Sequence, residues 1–229
     1  MNQNEQENAF YANEDRREEP KEYFQLINDI LKDENWFSLC DVGCATGDFL
    51  WYMRKVYGAS RKMVGVDNYD VLRNIAQKRL SDCQFYKGDI WTGEGLPNEK
   101  YDIVCMSGVL YLFDRFERVI DNLLKITNTS GVLLIFGQFN SHSCHTDVHF
   151  KLNDREGRIV VYSIEEISKW LIERDYSFEF IPFKMKSKIM EKKDDPIRSY
   201  TIALADQTNG LINGLDLWIE QYLLKIKIK

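Results

Sequence analysis

The sequence predicts an α/β fold, a doubly wound and mainly parallel sheet with helices on both faces. Three observations predict it. Apolar runs of strand length alternate with amphipathic helical stretches over residues 36–184, the pattern of strand–helix–strand crossovers. A glycine turn, Asp41-Val42-Gly43-Cys44-Ala45-Thr46-Gly47, stands between the first of these runs and the helix after it. At 229 residues, 44% apolar and 29% charged, the chain suffices for one well-buried domain and is too short for two.

The elements follow in order. Residues 1–19 are charged, and Pro20 opens a helix whose apolar face is Tyr23, Phe24, Ile27, Ile30 and Leu31. Residues 1–35 thus read as a flexible segment with a cap helix, and 36–229 as the catalytic domain. The first strand ends at Asp41, and the helix from Asp48 stops at Gly58. Residues 63–67 form a short buried strand ending in an acid, and 68–80 a helix with Val71, Leu72, Ile75 and Leu80 inward. Strands follow at 83–86 and 101–106. A helix from near Asp114 buries Phe116, Val119, Ile120, Leu123 and Leu124, and 131–136 is a fully buried fifth strand. Ser163-Ile164-Glu165-Glu166 has the pattern of a capping box and starts a helix through Leu171. A sixth strand covers 176–184. Residues 200–204 and 223–228 compete for the last strand; the latter alternates more cleanly and is preferred. Residues 186–222 then become an insertion on the substrate side.

Composition excludes several functions. A net charge of −6 argues against a nucleic-acid partner, which would call for a basic surplus. The polar N-terminus lacks the basic-then-apolar order of a signal peptide, and no apolar run reaches membrane-spanning length. The five cysteines, Cys40, Cys44, Cys83, Cys105 and Cys144, are odd in number, and four fall in or beside strands. That is the usage of reduced core cysteines in a cytoplasmic protein. The expected partner is a small molecule, with no nucleic acid, no membrane, and a monomer or homodimer left open.

The acid before the first glycine narrows the ligand. A carboxylate at Asp41 would repel a pyrophosphate and welcome an amine-bearing cation, and S-adenosylmethionine is such a ligand. A nicotinamide site would need glycines where Ala45 and Asp48 stand.

With these residues the chain resembles the class I S-adenosylmethionine-dependent methyltransferases over roughly residues 36–184. The resemblance implies a Rossmann-like, seven-stranded sheet with an antiparallel last strand. It also implies S-adenosylmethionine as cofactor and S-adenosylhomocysteine as product. Gly43, Cys44, Ala45 and Gly47 correspond to the first motif, with Ala45 where glycine is commonest. Asp41 would meet the methionyl end. Asp67, followed by Asn68, matches the acid that grips the ribose hydroxyls, and Asp89 with Ile90 the adenine position. Met106 and Ser107, in a run through Tyr111, match the motif whose backbone flanks the cofactor and faces the acceptor.

The acceptor side is less defined. All three histidines fall in 140–149. They read as a metal site matching no standard zinc spacing, as a general base or substrate contact, or as a solvated surface loop. His142 and His145 are the candidate catalytic and acceptor-binding residues, with no metal assigned. Tyr111 either orients the acceptor or packs in the core. Tyr11, Arg16 and Arg17 either bind an anionic acceptor or form a solvated charged patch. The basic Lys225, Lys227 and Lys229 read as the exposed face of a half-buried strand. A looser similarity to small bacterial methyltransferases of polysaccharide-modification clusters makes a saccharide, phosphorylated or nucleotide-linked hydroxyl the first acceptor expectation. N-methylation of a small amine or amino sugar, and a catalytically silent cofactor-binding subunit, are the alternatives.

Overall fold

The structure, a computed structural model, describes residues 20–152, 155–193, 195–206 and 208–229. Helix α1 (Glu22–Leu31) precedes β1 (Ser38–Val42), α2 (Asp48–Tyr57), β2 (Lys62–Asp67), α3 (Asp70–Arg79) and β3 (Gln84–Lys87). Strand β4 (Tyr101–Ser107) leads through a 3-10 turn (Leu110–Leu112) to α4 (Phe116–Lys125) and β5 (Thr127–Asn140). A hairpin of β6 (Thr146–Leu152) and β7 (Arg155–Ser163) is followed by α5 (Ile164–Ile172) and β8 (Ser177–Phe183). Three short strands, β9 (Tyr200–Ala203), β10 (Asn209–Ile212) and β11 (Trp218–Ile219), precede β12 (Gln221–Lys227).

The main sheet has the order β3-β2-β1-β4-β5-β12-β8. Strands β1 to β5 pair in parallel, and β12 runs antiparallel between β5 and β8. The predicted seven-stranded sheet with its antiparallel final strand is therefore found, and residues 221–227 rather than 200–204 supply that strand. The β6–β7 hairpin joins the sheet through β5, where Phe139 and Asn140 pair with Tyr162 and Ser163. The sequence pattern does not announce this hairpin, because β6 alternates exposed and half-buried residues with no fully buried position, and only the second half of β7, from Ile159, is buried.

One apolar cluster sits on each side of the sheet. Phe24, Ile27 and Leu31 of α1 and Phe49, Leu50 and Met53 of α2 pack on one face, against Leu39, Ile103 and Leu134. Phe116, Val119, Ile120 and Leu123 of α4 and Ile167 and Leu171 of α5 pack on the other, against Val104, Leu133 and Leu224. Alternate residues of each central strand thus feed opposite clusters, as a doubly wound sheet requires. The predicted cap on α5 forms, with the Ser163 Oγ accepting the Glu165 N–H at 3.1 Å.

Asp102, one residue into β4, fastens the start of β1. Its carboxylate accepts the N–H groups of Phe37 and Ser38 and the Ser38 hydroxyl, all at 2.9 Å, and the Asn128 amide at 2.8 Å. Burial alone would raise its pKa, but these hydrogen bonds outweigh burial and hold it below the ordinary carboxylate value. A group with a depressed folded pKa stabilises above its unfolded pKa and loses that contribution as pH falls through the folded one. Asp102→Ala should cost about 2–4 kcal/mol in urea unfolding at pH 7, with the deficit shrinking as pH falls below the ordinary carboxylate pKa. A deficit independent of pH would contradict this account.

Residues 186–222 include the small sheet β11-β10-β9. The Glu22 carboxylate at the head of α1 accepts the Lys186 and Ser187 N–H groups at 2.8 and 2.7 Å, tying this segment to α1.

Candidate functional site

The parallel strands end together at one edge, where such sheets place ligands. A cavity of about 660 Å³ opens there. The run after β1 forms its floor. Gly43, Ala45 and Gly47 all have positive φ (76°, 46° and 77°), so the chain coils tightly between β1 and α2. At Gly43 a Cβ would lie 2.5 Å from Val109 Cγ2, so the close approach of the two loops requires glycine. Gly47 does not line the cavity. A Cβ there would sit 3.3 Å from Ala76 and Leu80 of α3, so it serves helix packing. Ala45 holds a left-handed conformation that costs a non-glycine residue about 1–2 kcal/mol.

What offsets that cost is the bond from the Ala45 N–H to Asp67 Oδ2 at 2.8 Å. Asp67 Oδ1 accepts the Tyr69 N–H at 2.9 Å, so the carboxylate ending β2 locks both turns. Burial raises the Asp67 pKa, opposed by these two N–H groups. Asp41, ending β1, is 4% exposed and lines the cavity. Its carboxylate has no hydrogen-bond partner among the described residues. Burial first, and then the charge of Asp67, pushes its pKa up to about 7, with Lys21 pulling the other way. Asp89 lines the cavity after β3, and its Oδ1 accepts the Trp91 and Thr92 N–H groups at 2.8 and 3.3 Å. Both Asp67 and Asp89 are thus turn formers, as an acid after a strand commonly is, and both also face the cavity.

Asp41, Gly43, Cys44, Ala45, Asp67, Asn68, Asp89, Ile90, Ser107 and Tyr111 line this one cavity. Met106 does not. Its side chain is fully buried in the core beside Val104, because strand alternation turns it away from Ser107, so it packs the core and only its backbone stands next to the cavity-lining Ser107.

The histidines require a larger correction. His142 and His145 are not among the cavity-lining residues. Residues 141–145 join the end of β5 to β6, whose pairing with β7 begins at Thr146 opposite Val161. His142 is exposed, and its N–H donates to Asn140 Oδ1. The His145 ring stands edge-on to Tyr162 at 5.1 Å, its Nδ1 3.4 Å from Glu166. His149 lies in β6 rather than in a loop, beside Asp147 at 3.4 Å. Among the described residues no cluster of three or more His, Cys, Asp or Glu is placed to share a metal ion. Tyr11, Arg16 and Arg17 lie outside the described residues.

Sequence reasoning missed several cavity residues: Tyr23, Trp91, Phe113, Asp114 and Arg158. Tyr23 reads as part of an apolar helix face, and it does stack on Phe136 at 4.1 Å. Trp91 follows the Asp89-Ile90 pair directly and lies parallel to Phe113 at 5.6 Å. Arg158 is held by Asp147 through Nε and Nη2 at 2.7 and 2.5 Å, and its Nη1 is 3.3 Å from Asp114. No described residue of 186–222 lines the cavity.

Comparison with known proteins places this geometry. The family model described as a methyltransferase domain matches residues 13–179, well over half of the chain. No curated protein matches the sequence. An S-adenosylmethionine-dependent methyltransferase from Clostridium acetobutylicum superposes with a TM-score of 0.62 at 11% identity, covering 98% of each chain. The YcgJ protein of Bacillus subtilis gives 0.61 at 9% identity, over 90% of this chain and 97% of that one. The glycopeptide N-methyltransferase MtfA, solved with S-adenosylhomocysteine, gives 0.60 at 8% identity, over 90% and 89%. At these identities the likeness is one of fold.

Proposed function

Since the chain belongs to the methyltransferase-domain family and is an S-adenosylmethionine-dependent methyltransferase, we propose that it methylates a small molecule at an amine nitrogen. The observation that carries this reading is the charge of the cavity. Among the described residues it presents five carboxylates, Asp41, Asp48, Asp67, Asp89 and Asp114, against two cationic side chains, Lys21 and Arg158. Both cations face carboxylates, Arg158 held by Asp147 and Asp114, and Lys21 opposite Asp41. Such a cavity repels a phosphorylated or nucleotide-linked acceptor and favours a neutral or cationic one. Of the two supports for oxygen methylation, the histidines and the looser similarity to polysaccharide-modification methyltransferases, the first is weakened because His142 and His145 do not line the cavity.

The residues fit the cofactor on two observations. Asp41 is a buried carboxylate that accepts no hydrogen bond among the described residues, and a cationic amine would supply one. The glycine turn itself, at Gly43, Cys44 and Ala45, lines the cavity and offers its backbone to a ligand there. Asp67 has spare lone pairs on both oxygens for a vicinal diol, and Asp89 with Ile90 would serve the adenine. When bound, S-adenosylmethionine supplies an electrophilic methyl carbon on a sulfonium centre. The chain's own residues exclude water and hold an acceptor nitrogen in line. They need supply no strong base, because a neutral amine carries its own lone pair. An acceptor arriving as ammonium must first lose a proton. Its new N–C bond then forms as the C–S bond breaks, and the proton left on nitrogen passes to solvent.

The test is transfer from methyl-labelled S-adenosylmethionine to matched small amines and alcohols. Amines should be methylated at rates that rise with pH towards the amine pKa, with alcohols inert. Methylation confined to alcohols would overturn the assignment. Tight cofactor binding with no transfer would mark a silent subunit instead.

A further inference from the structure

We propose that the outer face of the small β9–β10–β11 sheet is the contact by which two copies of this chain pair about a two-fold axis. The register fixes which side chains share that face. Ile202 stands opposite Gly210, and Ile212 stands between Tyr200 and Trp218. Directly paired residues, and those two apart on one strand, leave a sheet on the same side. Tyr200, Ile202, Gly210, Ile212 and Trp218 therefore form one face, with no charged residue among them. Gly210 bears this out: a Cβ there would lie 2.4 Å from Trp218 Cη2, so the indole lies over it. The alternate residues Leu211 and Ile219 are buried, which makes theirs the inner face.

An antiparallel sheet with one face buried ordinarily turns polar side chains to water on the other. Here the outward side is apolar. Trp218 is 53% exposed and Ile202 37%. Ile189 exchanges hydrogen bonds with Thr201 along the free edge of β9, and Met190 beside it is 80% exposed. Apolar side chains exposed singly need no explanation. Grouped around a charge-free sheet face, they form a patch of the kind that marks an interaction surface.

Charge selects the partner. Residues 184–220 hold six Lys or Arg and six Asp or Glu, in a chain whose net charge is −6. The segment is thus neutral, and the whole acidic surplus lies elsewhere. A lipid or phosphate surface would call for a basic surplus, and a strongly charged protein for a rim of one sign. This rim carries both signs. All six cations precede β9, with Lys188 next to Ile189 at that strand's free edge, and Asp206 and Asp216 stand in the connections on either side of β10. An isologous contact must be self-complementary. A neutral face bearing both signs meets its own copy without the repulsion that two molecules of net charge −6 exert elsewhere. The contact is small. An aromatic side chain buries about 150–250 Å², and a half-open Trp218 with Ile202 and Met190 falls short of the ~800 Å² per partner of a standard interface. The dimer is therefore a reversible one.

Sedimentation equilibrium of the full chain should show dimers at about 100 µM and monomers at about 1 µM. Trp218→Glu and Ile202→Lys each set a charge in the centre of the face, on different strands, and each should weaken association about tenfold or more. Affinity for S-adenosylhomocysteine should stay within about threefold of wild type, because no described residue of 186–222 lines the cavity. Amide exchange of the wild-type protein needs no variant: protection of residues 189–219 should rise between the two concentrations. A wild-type protein that stays monomeric at the higher concentration would overturn the proposal. Dimers of undiminished strength in both variants, or protection that rises only outside residues 189–219, would overturn it by placing the interface on another surface.

Discussion

Asp41→Asn should make the protein more stable and its cofactor binding weaker, in opposite senses and in one pH window. The folded-state pKa of Asp41 is about 7 against an ordinary 3.8. Between those values the folded protein holds a proton that the unfolded chain has released, so wild-type stability falls as pH rises through the window and levels off above about 7. An asparagine of the same shape has no proton to hold. At pH 8 the variant should therefore exceed wild type by up to about 4 kcal/mol, from about 1.4 kcal/mol per unit, and should match it near pH 4.

Binding should move the other way. If the cofactor's ammonium pairs with ionised Asp41, wild-type affinity should climb about tenfold per pH unit below 7. At pH 7 the variant should bind about 10- to 100-fold more weakly, the worth of one charge-assisted hydrogen bond. It should also lose that pH dependence. Chemical denaturation and calorimetry at pH 5, 6, 7 and 8 check both halves. Equal affinities at pH 7 would remove Asp41 from the cofactor site. A destabilised variant at pH 8 would contradict the burial argument.

Asp67→Ala should carry the largest loss of cofactor affinity, about 100-fold or more for S-adenosylmethionine and S-adenosylhomocysteine alike. Two effects combine. The carboxylate would contribute charge-assisted bonds to the ribose hydroxyls, and it also holds the Ala45 and Tyr69 N–H groups that shape the floor. Equal losses for the two ligands are expected because the ribose is common to both and the methyl group is remote from it. Asp67→Asn retains an acceptor for one N–H and should fall between. A dissociation constant within threefold of wild type in Asp67→Ala would refute the assignment.

The sequence carried most of the sheet because its central strands are unbroken apolar runs bounded by turn residues. Strands β1, β2 and β4 are buried on both faces, and such runs leave a plain signature. The cofactor edge was legible for a related reason. Asp41, Asp67 and Asp89 stand at or just past strand ends, and a parallel sheet gathers those ends into one place. Met106 shows the limit of that reasoning, since a motif marks the neighbourhood while strand alternation decides which side chain faces it.

The acceptor side was not legible. His142 and His145 are chemically conspicuous, yet their position depends on a hairpin whose first strand, β6, has alternating exposed positions and no fully buried one. Arg158 reaches the cavity through the same hairpin and gave no signal of its own.

The position of β12 bears on how the molecule is made. Residues 221–227 follow every other strand in the chain, yet they occupy an interior slot, hydrogen-bonded to β5 on one side and β8 on the other. During synthesis, β5 and β8 must wait with open edges until that final strand emerges. The interval leaves two unpaired edges available to other chains. Completion of the sheet is thus a late event, and Lys225, reaching Glu34 at 2.6 Å, fastens the last strand to the approach to the first.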